Sequence, residues 1–158
     1  MVEIHNSVAK VYEENKKTLE IFECLDEFSD TQNFCDHYGF DIEDSCNAIL
    51  IKAKKPEEFY AMFCVLGANR LDVNHKAKEA MRAKRVSFAS REEAEAVTGQ
   101  IYGGISPLGL PENIKVYMDK NVTDREKLFI GAGNRVSKFF LSPETLIDLS
   151  SAKVLDLT

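Results

Sequence analysis

The sequence predicts a mixed α/β fold: one mixed sheet with helices packed around it. Three observations predict it. Helix and strand signals follow one another without a regular alternation, and neighbouring strand signals at 46–52 and 59–66 have no helix between them. A doubly wound parallel sheet would place a crossover helix between its strands, so that architecture is not expected. The chain has 158 residues, 44% hydrophobic and 29% charged, which is the size and composition of one soluble globular domain spanning 1–158.

Each element has a local reason. Residues 5–16 read as a helix with Val8, Val11 and Tyr12 on one face. Alternation around Leu19 and Ile21 predicts a strand at 19–25. Ser29 or Asp30 caps a short helix that runs to Tyr38, where Gly39 stops it. The apolar runs 46–52 and 59–66, joined through Lys54-Lys55-Pro56-Glu57-Glu58, form a hairpin with a turn of several residues. Asp72 caps a helix whose stripe is Val73, Ala77, Ala80 and Met81. A short strand covers 86–89. Ser90 then opens a helix with Glu92 and Glu93 in its first turn, where the dipole favours them, and Gly99 ends it. A Gly/Pro-rich loop fills 99–113, and strands follow at 115–119, 128–131 and 136–141. Ser142-Pro143-Glu144 opens the last helix with proline at its first position, and Val154-Leu155 forms a final short strand.

Composition narrows the function classes. The net charge of −6 disfavours indiscriminate nucleic-acid binding, and no DNA partner is expected, but a local grip on one RNA end is compatible with it. The most basic stretch, His75 to Arg85, reads either as the solvated face of an amphipathic helix or as a phosphate-tracking patch. No apolar run approaches the roughly 20 residues that span a bilayer. The N-terminus lacks the basic region and apolar core of a signal peptide, so the expectation is a cytoplasmic protein with no membrane partner. Cys24, Cys35, Cys46 and Cys64 form no Cys-x-x-Cys pair, so they read as reduced, mostly buried thiols; a reactive Cys46 remains an alternative. No metal site and no cofactor are expected.

Several familiar motifs fail on inspection. Gly104-Ile-Ser106-Pro107-Leu108 suggests a nucleophile elbow, yet Leu108 stands where the second glycine belongs, and Pro107 has no N–H to serve as an oxyanion donor. Gly131-Ala132-Gly133-Asn134-Arg135-Val136 lacks the third glycine of a dinucleotide fingerprint and leads into a strand. There is no Walker A sequence, and Ser-x-x-Lys occurs twice, at 7–10 and 150–153, which shows how cheap that pattern is. What survives is a pair of glycine-rich loops, at 103–109 and 131–133. Glycine lets the backbone approach a ligand and aim its N–H groups at it, and such amides can hold a developing oxyanion without any catalytic side chain. The plainer reading is that both loops are tight connections.

The stretch Val97-Thr98-Gly99-Gln-Ile-Tyr-Gly103-Gly104-Ile105-Ser106-Pro107-Leu108-Gly109 resembles the signature of the YbaK/ProX family of trans-acting aminoacyl-tRNA deacylases, whose fold also occurs as the editing insertion of bacterial-type prolyl-tRNA synthetases. Arg70-Leu71-Asp72-Val73, Leu110-Pro111, the Gly131–Gly133 turn and Ser142-Pro143-Glu144 fit the same pattern, so the resemblance covers nearly the whole chain. It implies a curled mixed sheet holding the 3′ end of a mischarged tRNA, and hydrolysis of the ester between a wrong amino acid and the terminal ribose. The loop Gly103, Gly104, Ile105, Ser106, Pro107 would present amides to the ester carbonyl. Water, an RNA hydroxyl or the substrate's own side chain would attack.

One position departs from the family. The strand after the second helix usually begins with a lysine that contacts the substrate's terminal phosphate or ribose, and here Asn47 stands there. Asparagine hydrogen-bonds but brings no charge. Lys138, just beyond the Gly131–Gly133 turn with its Asn134, is the candidate replacement cation, and Arg135 is a second phosphate candidate; either could instead face solvent. The leading function is therefore removal of a small non-cognate amino acid from the acceptor end of tRNA, acting free or with a synthetase. The alternative is a non-catalytic module of the same fold that binds RNA ends, a nucleotide or a synthetase.

Overall fold

The computed structural model describes residues 2–158. Helix α1 (Asn6–Glu14) is capped by His5, whose Nδ1 accepts from the Ser7 amide at 3.2 Å. It leads to β1 (Glu20–Glu23) and to α2 (Thr31–Tyr38), which Gly39 stops in the left-handed region, at φ 78°. The hairpin of β2 (Cys46–Lys55) and β3 (Phe59–Leu66) is antiparallel, with Cys46 opposite Leu66 and Ala53 opposite Phe59.

The helix expected from Asp72 begins differently. Ala77 N donates to Asp72 O five residues back, so residues Val73–Ala77 form a wide turn before the short α3 (Lys78–Ala80). Asp72 caps as expected, accepting from His75 N, and Ala77 and Met81 of the apolar stripe are buried. After β4 (Arg85–Phe88) comes α4 (Arg91–Thr98), opened by a complete capping box between Ser90 and Glu93. The remaining elements are β5 (Lys115–Asp119), β6 (Leu128–Gly131), β7 (Ser137–Leu141), α5 (Pro143–Ser150) and β8 (Lys153–Leu155).

The class is mixed α/β, but the strands divide into two sheets rather than one. One is five-stranded in the order β4-β2-β3-β5-β8, with β3-β5 and β5-β8 parallel; the other is β1-β7-β6, antiparallel throughout. Among the described residues a single bridge, Ser45 to Phe129, joins them. Apolar periodicity shows which face a strand buries and leaves its partner open. Both flanks of β3 are taken by β2 and β5, and β7 pairs between β1 and β6.

The two faces of the larger sheet follow the period of two. Cys46, Leu50, Met62, Cys64 and Leu66 pack into one core with Val8 and Leu146, while Ile51, Ala53, Ala61, Phe63 and Val65 pack into a second with Ala77 and Met81. A third cluster lies on the small sheet. Phe22 and Phe129 meet Phe34 of α2 with ring centroids 5.7 and 5.1 Å apart, and Phe140 packs on Phe22 and Phe129 at 5.9 and 5.6 Å. Edge-on and tilted aromatic packing of this kind fixes α2 over the small sheet. It also sets one wall of the cleft described next.

Candidate functional site

The two glycine loops are laced together by backbone. Ile101 N donates to Gly133 O at 2.9 Å, Gly133 N donates to Gly104 O at 2.7 Å, and Gly104 N turns back to Ile101 O at 3.0 Å. Such an approach leaves no room for side chains. A Cβ on Gly104 would run into the Asn134 carbonyl, and one on Gly131 would lie 2.7 Å from Gly104 O and nearer still to Ile105 O. Gly103 adopts φ 91°, a region L side chains rarely enter.

The same loop is pinned from inside. Buried Gln100 accepts from the Ser106 amide through Oε1 and donates through Nε2 to Leu108 O at 2.9 Å. Ser106 is fully enclosed, and its Oγ accepts from the Leu108 amide at 3.1 Å. Its oxygen is thus enclosed and tied to the loop's own backbone. With the Tyr102 amide bound to Glu95, Gly104 to Ile101 and Ser106 to Gln100, the amides of Gly103 and Ile105 are left, and neither donates to an acceptor among the described residues.

Gly103, Gly104 and Ile105 line a cleft of about 320 Å³ together with Asn47, Gly131 and Lys138. It lies where the two sheets meet. From Cys46 to Ile49, β2 has a strand partner only on its β3 side, because β4 first pairs at Ile51. That unpaired edge is one wall, the end of β6 is another, and the start of α2 with Ser29, Asp30 and Thr31 is a third. Asn47 is half-buried there, with its Oδ1 3.4 Å from Ser45 Oγ.

Lys138 is the cleft's unusual residue. It pairs across the sheet with Phe22 on one side and Gly131 on the other, so its side chain shares a face with the aromatic cluster and with the glycine that admits the loop. The lysine is 6% exposed, where the sequence allowed a solvent-facing one. Its Nζ donates to Ser29 O at 2.7 Å and sits 5.3 Å from the centre of the Phe34 ring. Burial pushes its pKa down from the ordinary lysine value.

The other sequence candidates hold the frame of the site. Arg135 does not line the cleft. Its guanidinium reaches Asp26 Oδ1 at 3.0 Å, Asp30 Oδ1 at 3.4 Å and Asp26 O at 3.1 Å, clasping the segment that precedes α2. Asn134 is buried and satisfied: Oδ1 accepts from Val136 N and Ser137 Oγ, and Nδ2 donates to Glu3 O. Gly133 packs on His5. Pro107 is buried and lines a second, larger depression of about 1370 Å³, which shares no lining residue with the cleft. Lys76 and Arg82 of the basic stretch lie on that depression, and Lys76 is paired with Asp156 at 3.0 Å. The smaller cleft is the better candidate, because there free amides and a buried cation meet.

All four cysteines are free and buried. The Cys46 thiol is pushed well above its usual pKa, first by its hydrogen bond with Cys64 and then by burial. Sequence reasoning missed Gln100 and Ser29 as parts of the site. A lone glutamine in a loop carries no signal that its amide braces the turn, and Ser29 read only as a helix cap.

A family model described as an aminoacyl-tRNA editing domain matches residues 26–149. Over 92 residues the chain is 29% identical to the "Putative Cys-tRNA(Pro)/Cys-tRNA(Cys) deacylase EbsC" of Enterococcus faecalis, covering 58% of this chain and 56% of that protein. It is 32% identical over 106 residues to a proline–tRNA ligase of Nautilia profundicola, covering 66% of this chain and 18% of that enzyme. The chain thus spans about half the length of the first of these relatives and less than a fifth of the second. A solved structure described as "a putative trans-editing enzyme for prolyl tRNA synthetase" superposes with TM-score 0.83 over 99% of both chains at 22% identity, a likeness of fold.

Proposed function

The chain belongs to the aminoacyl-tRNA editing-domain family, and from that premise we propose that it hydrolyses the ester of a mischarged aminoacyl-tRNA, with the free amides of Gly103 and Ile105 as its oxyanion donors. The observation that carries this reading is the pair of unsatisfied amides on a braced loop that lines the cleft. Water adds to the ester carbonyl, the carbonyl oxygen takes negative charge, and the amides hold it. The ribose oxygen then leaves with a proton as the carboxylic acid is released. Donors fixed before the reaction pay no reorganisation, and removing one from such a site costs about 10²–10³ in rate.

Each sequence candidate has a place in this scheme. Gly104, Ser106 and Pro107 shape the loop. Asn47 and the unpaired edge of β2 hold the terminal ribose by hydrogen bonds. Gly131, Gly133 and Asn134 brace the loop from beneath, and Arg135 holds the segment before α2. Lys138 supplies the charge that Asn47 does not. A cleft of about 320 Å³ suits a small aminoacyl group, so the proposed substrate is a small non-cognate amino acid on the acceptor end of tRNA, with residues 1–158 working as one unit, free or docked on a synthetase. No step is assigned to a metal ion.

The test is deacylation of tRNAs charged with Ala, Ser, Thr, Cys, Pro and Asp by the wild type and Gly103→Ala, with and without EDTA. Selective release that EDTA spares and Gly103→Ala slows about 10²-fold supports the reading. No release from any of them, with tRNA still bound, overturns it in favour of the binding module that Asn47 suggests.

A further inference from the structure

The α2 end of the cleft holds polar groups that the protein leaves unsatisfied. Ser29 is 1% exposed, lines the cleft, and its Oγ has no hydrogen-bond partner. Buried polar atoms are almost always satisfied, so an orphan hydroxyl in a cleft is a group that a bound atom would satisfy. Lys138 Nζ spends one of its N–H bonds on Ser29 O, and the others find no acceptor among the described residues. Asp30, the residue that caps α2, makes no side-chain cap hydrogen bond, and the amide of Thr31, which lines the cleft, donates to no acceptor among the described residues. An ammonium, a hydroxyl and a helix N-terminus together favour negative charge.

Resting on the deacylase reading, we propose that Lys138, Ser29 and Thr31 at the start of α2 form an oxyanion subsite that reads a carboxylate at the end of the substrate's aminoacyl side chain. Two groups at the end of an aminoacyl-tRNA could supply an oxyanion: a side-chain carboxylate or the phosphate of the terminal nucleotide. Enclosure favours the first. A backbone phosphate is joined to nucleotide on both sides and needs an open path. A side chain is a dead end, and Lys138 and Ser29 are each more than nine-tenths buried. Asp30 also lines the cleft, but its carboxylate is turned to the Arg135 guanidinium, so the nearest acidic group does not occupy the subsite.

The experiment uses non-hydrolysable probes: 3′-amino-3′-deoxyadenosine carrying aspartate or asparagine through an amide, each with and without a 5′-phosphate. Their affinities are measured on the wild type, Lys138→Met and Ser29→Ala, with a thermal melt of each protein. Aspartate and asparagine differ in charge and hardly in shape, so the expected result is a preference of about tenfold for aspartate in the wild type that disappears in Lys138→Met. Ser29→Ala, which deletes only a hydroxyl, narrows the same preference. A Lys138-dependent preference for the 5′-phosphate instead keeps the oxyanion subsite and overturns the carboxylate assignment. Equal binding of all four probes, or preferences unchanged in both variants, overturns the subsite. Because binding is read without hydrolysis, a Lys138-dependent preference in a protein that cleaves no aminoacyl ester would sink the deacylase reading and leave the subsite standing.

Discussion

Gly131→Ala tests whether the spacing between the two loops sets the position of the oxyanion donors. Gly131 has no left-handed backbone to maintain, so alanine suits its conformation and only space is at issue. The added methyl would lie 2.7 Å from Gly104 O and 2.9 Å from Gly104 C, where ordinary contact begins near 3.4 Å. The loop must therefore retreat by about 0.7 Å, and further at Ile105 O. Gly104 O belongs to the peptide that carries the Ile105 N–H, so the displaced group contains one of the two proposed donors. Overpacking of this kind costs about 1–3 kcal/mol, a fall in Tm of roughly 3–10 °C for a chain of this length. A misplacement near 1 Å costs about 10² in rate, so kcat/KM should drop by roughly 30- to 100-fold at temperatures where the variant remains folded. Gly99→Ala is the control. Its φ is 70° with nothing within 4 Å of the new methyl, so it brings left-handed strain of about 1–2 kcal/mol without touching the loop. It should melt lower yet keep kcat/KM within about twofold. The assay is steady-state deacylation of the preferred tRNA beside a thermal melt and the amide NMR shift of Ile105. Full activity in Gly131→Ala with an unmoved Ile105 amide would refute the geometric argument.

Two further outcomes follow from the structure. Glu93 is held at a pKa of about 2, first by the Lys52 ammonium at 2.7 Å, then by the Ser90 backbone amide and by Tyr60 Oη. Its folded pKa is depressed, so its contribution is fully present above the unfolded value near 4.3 and is lost as pH falls toward 2. Glu93→Gln should remove that part of the acid sensitivity, and urea melts of both proteins from pH 6 to 2.5 measure it; parallel stability curves would discount the carboxylate. Cys46 and Cys64 should resist iodoacetamide at pH 8 in the native protein and react on unfolding in urea, because both are buried from the reagent and the Cys46 thiol is pushed well above its usual pKa by its hydrogen bond with Cys64 and by burial. Rapid native labelling of Cys46, read by mass spectrometry, would restore the reactive-thiol alternative.

Most of the elements were legible because their signals are local. Gly39 and Gly99 stop helices, Ser90 with Glu93 closes a capping box, and Pro143 sits at the first position of α5. The division into two sheets was not legible, since the bridge from Ser45 to Phe129 joins residues far apart in the chain and carries no periodicity. The loop 103–107 was visible by its glycines, but which of its amides are free was not. That depends on Gln100 reaching Ser106 and Leu108, and on Gly133 meeting Gly104.

Lys138 shows why charge is the hardest part of this site to read from a strand. In the run Ser137-Lys138-Phe139-Phe140-Leu141, a lysine beside alternating apolar residues is ordinarily the outward one. Here both faces are covered: Phe139 is buried in the main core and Phe140 packs in the aromatic cluster under α2. Lys138 falls on the aromatic face, and what makes the position tolerable is its partner Gly131, which has no side chain to fill the space beside it. The same glycine admits the Gly104–Ile105 backbone. One residue without a side chain thus lets the loop approach and leaves room for the cation, which couples the two halves of the proposed site. An uncharged Asn47 and a buried Lys138 lie in one cleft, so of these two positions the positive charge rests on β7 and not on the edge of β2.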